Sequence, residues 1–316
     1  MGNLMFGALS IPLRIGRPGG RAMSESVGPV KSAEASPTSL FGYEVVEFLG
    51  EGAGSLIYAV SDPVTKQVYA LKHVVVKTEK QLRFAEQLIN EYEVGKQINS
   101  PLVRRVFDVK VNRTLLRKIT EAALIMEMVD GTPMDQQPPQ TVQETLAIFS
   151  QIAQALGALH AHGFIDCDFK PNNVLLCSDG TLKLIDLGQA CPALTVKQRI
   201  QGTPDYISPE QVKCEPVTAR TDVFNFGATM YWALTGNALP TLFTLKKGEN
   251  SFLLDQAMPS PHDQNAKVPV PLSNLVMECV RTNPAKRPGD MAELSRRLEL
   301  MGMSLARGNG SQAASG

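Results

Sequence analysis

The chain has 316 residues, enough to bury a substantial core in one large domain or two of ordinary size. Its 31 Lys and Arg balance 31 Asp and Glu, so the overall field argues against a nucleic acid or an anionic membrane as the main partner. The five cysteines, Cys167, Cys177, Cys191, Cys214 and Cys279, include no C-x-x-C pair, which argues against a disulfide framework or a zinc site and fits a reducing, cytoplasmic location.

Residues 1–40 are rich in Gly, Pro, Ser and Ala without periodicity and are expected to form a disordered tail. The apolar run at 4–13 is broken by Gly7, Ser10 and Pro12 and is too short for a membrane span. Phe6 stands where a myristoylation signal wants Ser or Thr. From Tyr43 the texture turns β-rich, and runs at 43–49, 55–60 and 68–76 predict three neighbouring antiparallel strands. A helix over about 79–98 follows, then strands at 103–111 and 122–129. Beyond Gly131 the period is helical, at 141–162, 222–235 and 272–281, with Ser273 placed to cap the last of these. The expected fold class is α+β and bilobal: a small, mainly antiparallel β lobe with one key helix (43–129) and a larger helical lobe (130–302), followed by a flexible tail at 303–316.

Chemistry is carried by three stretches. Leu49, Gly50, Glu51, Gly52, Ala53, Gly54 and Ser55 lie between two strands, where absent side chains let backbone N–H groups approach phosphate oxygens. Glycines between strands also mark plain hairpins. Lys72 ends the apolar run 69–72, and its charge needs a partner that Glu91 on the next helix could supply. The most specific stretch is Asp166-Cys167-Asp168-Phe169-Lys170-Pro171-Asn172-Asn173, followed by Ile185-Asp186-Leu187-Gly188. Phosphoryl transfer requires Mg²⁺ against the phosphates, charge compensation and an acceptor for the hydroxyl proton. Asp186 and Asn173 offer hard oxygen ligands, Asp168 can deprotonate a substrate hydroxyl, and Lys170 can sit beside the moving phosphoryl group.

In this order the motifs resemble the eukaryotic-type (Hanks-type) Ser/Thr protein kinase superfamily, over about residues 43–300. The resemblance implies a kinase-like fold, ATP and Mg²⁺ as cofactors, and a protein partner bearing Ser or Thr; it implies nothing about oligomeric state. It makes Met126-Glu127-Met128-Val129 similar to the hinge that binds adenine, and Leu49, Ile57, Ala70 and Leu175 similar to the apolar walls around it. It pairs Glu210 of Ser208-Pro209-Glu210 with Arg287, starts a buried supporting helix at Asp222, and bonds Thr203 to Asp168 and Lys170. Lys170 two residues after Asp168, together with Gly202-Thr203-Pro204, resembles Ser/Thr rather than tyrosine kinases.

Three departures stand out. Asp166-Cys167 replaces the family's His-Arg pair, so no arginine awaits a phosphorylated loop, and activity is expected not to depend on such phosphorylation. Ser55 replaces the last glycine of the phosphate loop, with Gly54 one residue early, and is expected to reshape the flap over ATP. Gly95 stands where the family places a large apolar residue, and a glycine inside a helix costs about 0.5–1 kcal/mol relative to Ala, so an easily displaced helix is expected. Cys167, flanked by carboxylates, is expected to have a raised thiol pKa and little reactivity. These departures support a second reading, a pseudokinase acting as a nucleotide-binding scaffold, whereas the retained Lys72, Asp168 and Asp186 support an active enzyme.

Overall fold

The computed structural model describes residues 37–52, 54–244, 255 and 258–313. The tail expected at 1–40 falls almost wholly outside them, as does Ala53. No helix among the described residues is long and apolar enough to cross a membrane.

A six-stranded sheet forms the first part, in the order β1-β2-β3-β4-β6-β5, all neighbours antiparallel. Its strands are β1 (Ser39–Leu40), β2 (Tyr43–Gly52), β3 (Ser55–Ser61), β4 (Val68–Val75), β5 (Val106–Arg113) and β6 (Ile119–Met126). Side chains alternate across the sheet with period two. Ala122, Leu124 and Met126 of β6 join Ala70 and Val74 of β4 beneath the helix α1 (Glu79–Gly95), while Ala123, Ile125 and Leu71 pack with Tyr58 and Val60 on the opposite face. Lys72, between Ala70 and Val74, is thereby aimed at α1, which is capped by the Thr78 hydroxyl accepting from Gln81 N–H.

The strands expected at 103–111 and 122–129 are shifted to 106–113 and 119–126. Val103 instead makes an isolated parallel bridge to Leu184, and the chain leaves the sheet after Met126. Short strands β7 (Gly131–Pro133), β8 (Phe164–Ile165), β9 (Val174–Cys177), β10 (Leu182–Leu184) and β11 (Cys191–Pro192) form two small sheets, β10-β9-β7 and β11-β8.

The rest is helical: α2 (Val142–Ala161), α3 (Pro209–Val212), α4 (Ala219–Thr235), α5 (Pro261–Gln264), α6 (Val270–Cys279) and α7 (Met291–Ala313). Residues 221–231 of α4 are all buried, so this helix is the axis of the lobe, as a helix surrounded by protein must be. Gly227 permits its close approach to α6, since a Cβ there would lie 2.5 Å from the Cβ of Cys279. Ser273 does not cap a helix: α6 starts earlier, at Pro269-Val270, and the buried Ser273 hydroxyl accepts from His262 N–H at 3.0 Å. Proline pre-set for a first helical turn outweighed the serine signal. The last helix runs to Ala313, past the boundary drawn at 302.

Gly95 is the last residue of α1 rather than an interior one, and a Cβ on it would come within 2.9 Å of Val106. The apolar side chain that α1 contributes to the buried cluster containing Leu187 is that of Val94.

Candidate active site

Two loops converge because β8 pairs with β11, Ile165 opposite Cys191 and Phe164 opposite Pro192. One loop, 166–173, leaves β8; the other, 185–190, enters β11. The buried carboxylate of Asp222, in the first turn of α4, fixes the first loop by accepting from Asp166 N–H (2.8 Å) and Cys167 N–H (2.9 Å), and it pairs with His160 Nε2 at 2.8 Å. The helix begins at Ala219, capped by Thr218, slightly before the expected start at Asp222. Cys167 and Asp186 both take positive φ, 65° and 64°, conformations that L residues adopt only when their surroundings hold them.

On the sheet side, Lys72 Nζ donates to Glu91 Oε2 at 2.7 Å and to Asp186 Oδ1 at 3.1 Å. Arg104, which the sequence reading did not single out, donates to Glu91 Oε1 at 3.4 Å. Burial works against the Lys72 ammonium, yet Asp186 and Glu91 outweigh it and raise its pKa. Burial likewise works against the Asp186 carboxylate, and Lys72 outweighs it, so Asp186 is held below the ordinary carboxylate range. The result is an anionic carboxylate whose side chain remains 43% exposed.

On the helical side, Asp168 is the hub. Lys170 Nζ donates to its Oδ2 (2.8 Å), Thr203 Oγ1 to its Oδ1 (2.8 Å), and Gln189 Nε2 to its Oδ2 (3.1 Å). Lys170 also donates to Thr203 Oγ1 at 2.9 Å, closing a triangle. Asn173 spends an amide N–H on the Asp168 carbonyl at 3.1 Å, which orients its side chain beside the loop. An ionised Asp186 and the amide oxygen of Asn173 are hard donors of the type Mg²⁺ takes, so the residues fit that ion.

The remaining predicted positions lie on β2, β3, β4, β9 and the segment after β6. β2 runs to Gly52 and β3 starts at Ser55, and Gly50 (φ 149°) sits at a register shift after Phe48. Gly54 (φ 83°) turns against α1, where a Cβ would strike the Phe84 ring. Ser55 is buried and its hydroxyl has no hydrogen-bond partner. Ile57, opposite Lys72, and Ala70, opposite Met126, face α1; Leu49 is 42% exposed on β2 and Glu51 is exposed beside it. Leu175 is half-buried on β9, opposite Lys183 and Pro133. Glu127 is not free to meet a ligand through its side chain: its carboxylate accepts from Lys183 (2.9 and 3.1 Å) and from Arg105 N–H (3.0 Å). Burial opposes that charge, but these donors keep the carboxyl below its ordinary range. Met128 is exposed. Glu127 and Met128 can therefore contribute main-chain groups of a segment that has left the sheet.

Gln189, Lys183 and Arg104 were missed by sequence reasoning, because nothing in their spacing marks them; each finds its partner across a turn or strand crossing.

The family model for the protein kinase domain matches residues 43–297. Among curated relatives, the chain is 25% identical over 261 residues to a probable serine/threonine-protein kinase of Clostridium acetobutylicum, covering 78% of this chain and 37% of that protein. It is 28% identical to the serine/threonine-protein kinase PknD of Mycobacterium tuberculosis, covering 80% of this chain and 39% of that protein. It is 32% identical to the serine/threonine-protein kinase PkaA of Streptomyces coelicolor over 213 residues, covering 64% of this chain and 37% of that protein. The chain thus matches well under half the length of these relatives.

Proposed function

Because this chain belongs to the protein kinase domain family, we propose that residues 43–302 transfer the γ-phosphate of MgATP to Ser or Thr hydroxyls of a protein. The observation that carries the reading is the Asp168 carboxylate held by Lys170, Thr203 and Gln189, beside the Lys72–Glu91–Asp186 chain. Asp168 accepts the hydroxyl proton and orients the attacking oxygen. Lys170 offers a cation to the charge developing on the transferred group, and Thr203 keeps Lys170 and Asp168 in register. Lys72, positioned by Glu91, neutralises phosphate oxygens of the nucleotide. Asp186 and Asn173 would hold Mg²⁺, which when bound compensates phosphate charge. The glycine-bearing hairpin 49–55, with Ile57, Ala70 and Leu175 as apolar walls and the main chain of Glu127 and Met128 at the hinge, supplies the nucleotide cradle.

The test is transfer of labelled γ-phosphate from MgATP to a generic basic protein, with Asp186→Ala and EDTA as controls. Transfer that both controls remove is the expected result. No transfer from the unaltered chain, with ATP still raising its thermal stability, would replace this reading with a nucleotide-binding scaffold.

A further inference from the structure

Cys167, the position before Asp168, is buried. Its sulfur lies 3.7 Å from that of Cys191, 24 residues on. Both are buried, in a small apolar cluster with Ile165 and Val217 that is separate from the main cores. Cys191 also lines a cleft of about 260 Å³ between α1 and the segment after β11, together with Arg83, Asn90, Gln189, Lys197 and Arg199. Cys167 does not line it. Three cations and one carboxylate, Glu86, border this cleft, so an anionic sulfur on its wall is favoured.

From this arrangement we propose that Cys191 is an oxidant-reactive site for hydroperoxides, and that Cys167 resolves it into a reversible disulfide tying the 166–173 loop to β11.

The two thiols divide the work by environment. The contact with Cys167, opposed by burial and helped by Lys197, lowers the Cys191 thiol to about 6. The same contact, with burial and Asp222, raises Cys167. The raised Cys167 pKa expected from its flanking carboxylates is present, but Cys191, burial and Asp222 cause it, and a Cys167 that resolves a sulfenic acid departs from the unreactive thiol expected there. The Cys191 thiolate attacks one oxygen of hydrogen peroxide: the S–O bond forms, the O–O bond breaks, and hydroxide leaves and takes a proton to become water. Cys167 sulfur then attacks the sulfenic sulfur, forming S–S and breaking S–O, while the thiol proton goes to the departing hydroxide. Two thiols and one peroxide become one disulfide and two waters. The sulfurs must approach by only ~1.6 Å to reach bonding distance, and that movement displaces the residue adjoining Asp168. If the transferase reading above holds, the linked form is slowed ~10-fold or more, because a displacement of this size misaligns reacting groups.

The experiment treats the reduced full chain with stoichiometric hydrogen peroxide, alkylates remaining thiols under denaturing conditions, and maps peptides by mass without reduction. A Cys167–Cys191 linked peptide that dithiothreitol reverses is expected. In Cys167→Ser, Cys191 is expected to persist as a sulfenic acid that dimedone traps. Peroxide that oxidises Cys177 or Cys214 while Cys167 and Cys191 remain alkylated overturns the proposal, as does unlinked sulfenic Cys191 in the unaltered chain. Transfer assayed on the same samples should fall on linkage and recover with dithiothreitol; equal rates overturn the inhibitory consequence. A reduced chain without any transfer counts against the proposed function and not against the disulfide, which mass alone decides.

Discussion

Glu210 and Arg287 meet in a buried two-point ion pair, Nη1 to Oε1 at 2.7 Å and Nη2 to Oε2 at 2.9 Å. The guanidinium has further acceptors in the carbonyls of Arg281, Arg220 and Thr282, and Glu210 Oε1 also accepts from the Thr221 hydroxyl. The pair therefore ties α3 to the start of α4 and to the approach to α7. Glu210→Ala leaves a buried guanidinium without its counter-charge and is expected to cost about 3–5 kcal/mol in denaturant unfolding. A loss below about 1 kcal/mol would mean that the pair is not buried in solution.

Asp166 provides a pH signature. Its Oδ1 accepts from Asp168 N–H at 3.0 Å, while its buried Oδ2 has no partner. Burial first, and the nearby Asp222 second, hold this carboxyl well above the ordinary range. The folded chain then keeps a proton that an unfolded carboxyl releases near pH ~4, so this group's contribution to stability falls as pH rises from there toward its folded pKa. Asp166→Asn keeps an acceptor and removes the titration. The Tm of the variant minus that of the parent should increase from about pH 5 to about pH 8; a flat difference would show Asp166 to be charged.

Gly95 separates two physical effects that act in opposite directions. Helix propensity alone makes Gly95→Ala stabilising by at most the ~0.5–1 kcal/mol of an interior site, since Gly95 is the last residue of α1. The Val106 methyl 2.9 Å from the added Cβ makes it an overpacking change instead, expected to destabilise by about 1–3 kcal/mol. Thermal unfolding of the single variant decides the sign.

The Lys170–Thr203–Asp168 triangle predicts a rate effect rather than a binding effect. Thr203→Val removes the hydroxyl that bonds both charged groups and is expected to lower kcat roughly 10-fold with little change in the KM for ATP. Asp168→Asn is expected to lower kcat by about 10²–10⁴-fold. Steady-state kinetics of the two variants would read both effects. A rise in KM at constant kcat for Thr203→Val would assign Thr203 to substrate binding.

What the sequence by itself determined was whatever depends on local repetition and spacing. The β-then-helical order and the positions of most elements to within a few residues follow from period-two and period-3.6 patterns. The clustering of Asp168, Lys170 and Asn173 follows from their lying on one short loop. Distant pairs such as Glu210 with Arg287, and Thr203 with Asp168 and Lys170, were expected from the family resemblance and not from spacing, and only the tertiary structure decided the contacts that neither had named. It engaged Glu127 with Lys183, brought Gln189 onto Asp168, set Gly95 against Val106 and placed Cys191 on Cys167. Backbone hydrogen bonding imposes a period that any stretch of sequence displays. The meeting of two side chains from separate elements depends instead on how those elements pack and cross, and no spacing along the chain encodes that.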